Sequence, residues 1–281
     1  MVRLISGLRM VGTNKSLGQH WLKNRAILEE IAELVAGSGL VGDSVDYTAN
    51  SSASLSSAKT EVEACLEIGP GLGTLTSSLL RRFKKVIAVE FDKRLADNLP
   101  KSFPGKNLEV INGDILDFDF SLIPRPYVVA GNIPYYITSP IIEKLLTAEN
   151  LAERIVLLIQ KEVAERITSD KETMLSLFVK NRAEVFPGPV VLKGEFTPPP
   201  KVDSQVIILE PLKKLRVADE VFKLIRVGFS SPRKKLVHNL ASIKSKEEVG
   251  EIFRESGISL DSRPGDLNLE DWEKLYNKIY K

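Results

Sequence analysis

The sequence predicts an α/β fold, a largely parallel sheet covered by helices on both faces, joined to a small all-α C-terminal domain. Three observations lead there. Short apolar runs alternate with helix-length amphipathic segments over about two thirds of the chain. A glycine-rich turn links the first of the main runs to a helix. The alternation stops after Pro211, where helical patterns follow one another. With 281 residues, 43% of them hydrophobic, the chain can bury a substantial core, and 27% charged residues with ordinary aliphatic content exclude a disordered chain.

In chain order, the apolar stretch 4–11 is broken by Gly7 and Arg9 and lacks a clear small-residue cleavage site, so it does not read as a signal peptide. Ile27, Leu28, Ile31, Leu34 and Val35 then fall at helical spacing behind Asn24, a good N-cap, and Gly37 suits the helix end. Residues 41–59 shift to Ser, Ala, Asn and Gly, with five serines between 49 and 58, and read as a mobile surface loop. Strand-length apolar runs follow at 64–68, 86–89, 108–111, 127–130, 155–159 and 206–209. The 41–59 loop feeds the amino end of the first of these, away from the carboxyl ends where open α/β sheets bind ligands. Beyond Pro211, residues 218–229, 233–240, 247–256 and 269–280 look helical. The expected division is therefore 1–211 and 212–281.

No apolar run approaches the length of a membrane span. Cys65, the single cysteine, cannot form an internal disulfide and lies in an apolar run, which suggests a buried thiol in a reducing, cytoplasmic setting. Two histidines beside one cysteine give no basis for a zinc or other metal site. The formal charge of +2 conceals a division: 212–281 holds 15 Lys+Arg against 11 Asp+Glu, a net +4, and the remainder holds 24 against 26, a net −2. Positive charge is thus modestly concentrated in the helical segment.

Glu67-Ile68-Gly69-Pro70-Gly71-Leu72-Gly73 directly follows the first main strand and opens a helix through Leu75, Leu79 and Leu80. Glycines there let the backbone turn sharply and approach a ligand. Seventeen residues beyond Gly73, at the end of the next strand, Glu90 can accept hydrogen bonds from both hydroxyls of a ribose. The third glycine of the dinucleotide fingerprint is missing, since that position holds Thr74. A cofactor with a ribose but no pyrophosphate, such as S-adenosylmethionine, suits the pattern better. Asp114 follows the third strand and can accept from an adenine amino group or simply form a turn.

The fourth strand runs into Asn132-Ile133-Pro134-Tyr135. The exocyclic amine of adenine is a poor nucleophile because its lone pair is delocalised into the ring. Two acceptors aimed at its N–H bonds, the Asn132 side-chain oxygen and the Ile133 carbonyl, favour pyramidal nitrogen and stabilise the charge that develops during attack on a sulfonium methyl. Pro134 stiffens the turn, and Tyr135 offers a flat face for a base that has been flipped out or was already unpaired.

These residues place the chain close to a known family. It resembles the KsgA-type small-subunit rRNA adenine dimethyltransferases through Leu17-Gly18-Gln19-His20-Trp21-Leu22, the glycine loop, Val89-Glu90-Phe91-Asp92, Gly113-Asp114, Gly131 to Tyr135, Gln160-Lys161-Glu162-Val163-Ala164, and Phe196-Thr197-Pro198-Pro199-Pro200-Lys201-Val202-Asp203-Ser204. The resemblance implies a Rossmann-like methyltransferase domain that moves two methyl groups from S-adenosylmethionine to N6 of each of two adjacent adenosines near the 3′ end of small-subunit rRNA. It implies that Gln19, His20, Leu22, Gly69, Gly71, Glu90, Asp114 and Asn132 line the cofactor site, and that Phe196 is a second aromatic face opposite Tyr135. It also implies a cytoplasmic monomer acting on a pre-ribosomal small subunit, with no membrane and no metal. The family usually has Asn where this chain has His20 and Phe where it has Trp21, and the 41–59 insertion is longer than typical.

Arg233, Lys234 and Lys235 stand together at the expected start of a helix, where the macrodipole opposes cations, so phosphate contact explains them better than helix stability. Two other readings stay open. Methyl transfer can be secondary to a role as an RNA-binding ribosome-assembly factor, or the acceptor can be another adenine or a glutamine amide, although enzymes of that kind usually carry proline at the position of Ile133.

Overall fold

The computed structural model describes residues 19–37 and 62–281. The stretch 4–11, Leu17, Gly18 and the 41–59 loop lie outside the described residues. The chain divides into two compact units, Met1–Ala164 with Val185–Pro211, and Glu165–Glu184 with Leu212–Lys281.

In the first unit, β1 (Trp21–Leu22) precedes α1 (Arg25–Ala36). The Asn24 side chain caps α1 by accepting from Ala26 N and Ile27 N, worth about 1 kcal/mol in such settings, and Gly37 closes the helix with φ +80°. The six strand runs read from the sequence form β2 (Ala64–Ile68), β3 (Lys85–Glu90), β4 (Leu108–Asn112), β5 (Tyr127–Asn132), β6 (Arg154–Gln160) and β9 (Ser204–Pro211), each at or within two residues of its expected ends. α2 (Thr74–Leu79), α3 (Lys93–Ser102) and α4 (Thr138–Thr147) follow β2, β3 and β5. With β7 (Ala183–Val191), the main sheet has the order β4-β3-β2-β5-β6-β9-β7. Strands β4 to β6 run parallel, and β9 is antiparallel to β6, so the sheet is mixed.

The edge strand β7 (Ala183–Val191) has no counterpart among the expected runs, because Pro187, Gly188 and Pro189 interrupt its apolar pattern. Proline cannot donate to an interior ladder, and an edge position tolerates it. Gly188 is required by the neighbour: a Cβ there would lie 2.9 Å from Val206 Cβ. A second, two-stranded ribbon pairs β1 with β8 (Phe196–Thr197).

In the second unit, α6 (Met174–Arg182), which follows α5 (Lys161–Thr168), joins α7 (Asp219–Gly228), α8 (Leu236–Leu240), α9 (Lys246–Ser256) and α10 (Leu269–Tyr280). Leu177 of α6 shares one apolar core with Leu224, Phe253 and Trp272, and the Arg182 guanidinium lies 4.2 Å from the centroid of the Phe178 ring. The helical unit therefore does not begin with a single cut at Pro211. One helix starts later than the sequence suggested. The chain from 231 to 235 is a turn, held by Asn239 Nδ2 donating to Ser231 O at 3.0 Å, and α8 begins only at Leu236. Arg233, Lys234 and Lys235 thus sit before the helix, not inside it.

Candidate active site

Strand register brings the candidate residues to one level. Ile68 on β2 pairs with Val89 on β3 and with Gly131 on β5, so Gly69, Glu90 and Asn132 are each the next residue along neighbouring strands. Glu90 pairs in turn with Asn112, which places Gly113 and Asp114 just beyond the same edge. All lie at the carboxyl ends of parallel strands, around the point where the strand order reverses between β2 and β5, where open α/β sheets form their binding crevice.

The Glu90 carboxylate is buried and aimed by the backbone. Oε1 accepts from Asp92 N at 2.8 Å and Oε2 from Gly71 N at 3.0 Å. Each oxygen keeps a further lone pair, so the group can still receive two hydroxyls. Burial pushes its pKa up, against the pull of the two amides. Asp92 beside it is held low by Arg94, which it contacts through both oxygens, and Gln19 Nε2 approaches it at 3.4 Å. Asp114 does form a turn: Oδ1 accepts from Leu116 N at 2.9 Å. One oxygen is thereby used, and the other remains for a ligand.

The glycine loop answers several demands rather than the single one expected. A Cβ on Gly73 would lie 2.7 Å from Leu99 Cδ1, so α3 packs against that position. One on Gly71 would lie 3.1 Å from Trp21 Nε1. Of the three, Gly69, at φ +63°, has nothing within 4 Å of where its Cβ would be among the described residues. This is where a ligand can approach the loop backbone.

Glu67, Gly69, Trp21, Leu22 and Asn132 line one cavity. Glu67 is 1% exposed, and its Oε2 has no hydrogen-bond partner among the described residues. Desolvation drives the Glu67 pKa from 4.5 to about 8 against the pull of Thr76, which faces it from α2, and the Glu90 charge adds to the rise. Cys65, fully buried and free, is likewise pushed up by burial.

A pH signature follows from Glu67. Its proton leaves the unfolded chain near 4.5 and the folded chain only near 8, so between these values the folded state binds more protons. Stability of the ligand-free protein therefore falls as pH rises through that window and levels off above it. Glu67→Gln does not titrate, and is expected to match the parent near pH 5 and exceed its unfolding free energy by about 4 kcal/mol at pH 8.5. Denaturant unfolding at both pH values checks this, and parallel pH profiles for the two proteins would count against it.

The Asn132 side chain is fixed by its nitrogen: Nδ2 donates to His20 O at 2.9 Å. A carbonyl only accepts, so the amide orientation is settled, and Oδ1 makes no hydrogen bond among the described residues. Ile133 is buried and its N–H donates to Leu158 O at 3.0 Å. Gly131 must lack a side chain, since a Cβ would meet Ile133 Cδ1 at 2.7 Å and Ile68 O at 3.1 Å. Tyr135 stacks on the His20 ring, 6.1 Å between centroids and 26° apart, and its hydroxyl lies 2.7 Å from Ser204 Oγ. Burial raises its pKa, with the Ser204 contact acting in the opposite sense.

Phe196 differs from expectation. It is 2% exposed and shares the main core with Leu22, Leu28 and Val206, because β8 pairs Phe196 directly with Leu22. In this form its ring presents no open face opposite Tyr135. Ser204 and Pro198, which hold Tyr135 and His20, belong to the same motif as Phe196 but carried no assigned role. In the second unit Arg233 and Lys234 are exposed, with no ion pair among the described residues, whereas Lys235 Nζ pairs with Asp261.

The site fits an adenosine-bearing cation: an open approach at Gly69, an aimed carboxylate at Glu90, a buried carboxyl at Glu67. Among the described residues, no cluster of three metal-binding side chains occurs and no helix is long and apolar enough to cross a membrane.

Comparison with known proteins agrees with this chemistry. The sequence model of the family described as "Ribosomal RNA adenine dimethylase" matches residues 10–281. The "Ribosomal RNA small subunit methyltransferase A" of Thermosynechococcus vestitus (strain NIES-2133) is 36% identical over 279 residues, 95% of this chain and 96% of that one. The protein of the same name from Prochlorococcus marinus (strain AS9601) is 34% identical over 284 residues, 95% of this chain and 96% of that one. Among solved structures, a dimethyladenosine transferase from Plasmodium falciparum superposes with a TM-score of 0.71 at 29% identity, covering 92% of this chain and 98% of its own.

Proposed function

We propose, from the premise that this chain belongs to the ribosomal RNA adenine dimethylase family, that it transfers two methyl groups from S-adenosylmethionine to N6 of each of two adjacent adenosines near the 3′ end of small-subunit rRNA. That it is an rRNA adenine dimethyltransferase follows from the family and its named relatives. The substrate detail, the pre-ribosomal small subunit as partner, cytoplasmic action and a monomeric state are our reading. The observation that carries it is Asn132, level with Gly69 and Glu90, its nitrogen tied to His20 O and its oxygen without a partner among the described residues.

When bound, S-adenosylmethionine supplies an electrophilic methyl group on a sulfonium centre. Glu90 holds the ribose hydroxyls, Asp114 receives the adenine amino group of the cofactor, and Gln19, Leu22, Gly69, Gly71 and Asn132 complete the wall. On the acceptor side, Asn132 Oδ1 and the Ile133 carbonyl accept the two N–H bonds of the target amine. That removes its conjugation with the ring and stabilises positive charge as the new N–C bond forms. Pro134 sets the angle of the loop, and Tyr135 supplies the stacking face. The proton released from nitrogen leaves to solvent, so no strong base is needed. Phe196 supports the loop from the core through the β1–β8 ribbon.

The direct test is incubation with labelled S-adenosylmethionine and undermodified small subunits, followed by mass-spectrometric mapping of methylated nucleosides. Dimethyladenosine at two adjacent positions of small-subunit RNA is expected. Label in large-subunit RNA, or none in RNA, overturns the reading.

We assign RNA backbone contact to Arg233 and Lys234, exposed and without an ion pair among the described residues, more than to Lys235, which Asp261 already neutralises. Arg233→Ala/Lys234→Ala is expected to weaken RNA binding about tenfold at low salt and to lower the slope of log K against log salt by about 1–2, leaving cofactor affinity unchanged. Filter binding across a salt series measures both, and an unaltered slope would remove the assignment.

A further inference from the structure

We propose that His20 is a positioning residue for the loop from Asn132 to Tyr135, not a ligand of the methyl donor, an inference that rests on the catalytic reading above. His20 precedes β1, and Pro198 follows β8. The pairing of Trp21 with Thr197 and of Leu22 with Phe196 sets the two side by side. His20 Nδ1 lies 2.8 Å from Pro198 O, and because a carbonyl can only accept, Nδ1 carries the hydrogen. One ring face lies against Tyr135. The backbone oxygen of the same residue receives Asn132 Nδ2. The side chain is therefore committed at one nitrogen and one face, and the main chain at its oxygen.

Two of these three contacts grip the working parts of the loop, and the third, to Pro198, fixes the ring that makes one of them. Tyr135 is held at its tip by Ser204 and on its face by His20, so its ring has little freedom to tilt. Asn132 is held with its oxygen outward. An asparagine in place of His20 can reach a carbonyl but has no ring to lay against Tyr135. Histidine thus gives this chain a stiffer stacking platform, and preorganised geometry of this kind is read in kcat more than in cofactor binding.

The test compares His20→Ala and His20→Phe with the parent on undermodified small subunits, with S-adenosylmethionine affinity measured separately by calorimetry and folding by thermal melting. For His20→Ala, kcat is expected to fall about tenfold or more while cofactor Kd stays within about twofold. His20→Phe keeps the ring against Tyr135, and is expected to recover most of the lost kcat while lacking the bond to Pro198. A cofactor Kd raised about tenfold in His20→Ala would make His20 a cofactor ligand and overturn the proposal. So would an unchanged kcat, or an equal loss in His20→Phe in a protein that melts like the parent. Absence of transfer by the parent would instead count against the catalytic reading itself.

Discussion

Asn132→Ala is expected to lower kcat for methyl transfer by about 10²–10³-fold, with cofactor and RNA affinities each within about threefold of the parent. The side chain donates to His20 O and otherwise offers only Oδ1, so truncation removes one acceptor for the target amine and the bond to His20, with little packing. The loss belongs to the step in which charge develops on nitrogen, which is why binding is spared. Asn132→Asp should fare no better. It retains an oxygen toward the amine but sets a second oxygen where Nδ2 now lies 2.9 Å from a carbonyl, and the two acceptors repel. Single-turnover rates together with separate binding isotherms check this, and full activity in Asn132→Ala would sink the catalytic assignment.

Glu90→Gln is expected to weaken S-adenosylmethionine binding by about 10–100-fold, the scale of losing one or two hydrogen bonds to a charged acceptor. Each oxygen already accepts one protein N–H, from Asp92 N on one side and Gly71 N on the other. An amide can satisfy only one of these donors and sets its own N–H against the other, so the variant disturbs the glycine loop as well as the ribose site. Calorimetric titration with the cofactor distinguishes this from a general folding defect when paired with a melting curve. Affinity within about threefold of the parent would remove Glu90 from the ribose site.

The two variants separate donor binding from acceptor activation, although Glu90 and Asn132 occupy equivalent levels of nearby strands. The register of β2 with both β3 and β5 is what makes that division geometrical. Glu67, buried in the same cleft and held largely protonated by desolvation, belongs to neither group.

Much of this was legible in the chain itself. The six strand runs, the cap at Asn24, the glycine loop, Glu90 and the segment from Asn132 to Tyr135 all announce themselves through local pattern: apolar periodicity, a capping side chain, glycine after a strand, an acid at the next strand end. β7 did not, because Pro187, Gly188 and Pro189 erase its periodicity while an edge position forgives them. The start of α8 was misplaced because cations beside a helical pattern look helical, whereas the turn before Leu236 is held by Asn239.

What lay beyond the sequence concerns partners rather than elements. Periodicity reports which face of a strand or helix is apolar, but it does not report which distant segment meets that face. The bond from Asn132 to His20 spans 112 positions and that from His20 to Pro198 spans 178. Burial of Phe196, the close approach of Trp21 to Gly71, and the place of Leu177 in the helical core are of the same kind. The chain declares its fold class and its chemical groups because those depend on neighbours a few residues away. How the groups are held, and how far each is free to act, depends on contacts that exist only once the chain has folded.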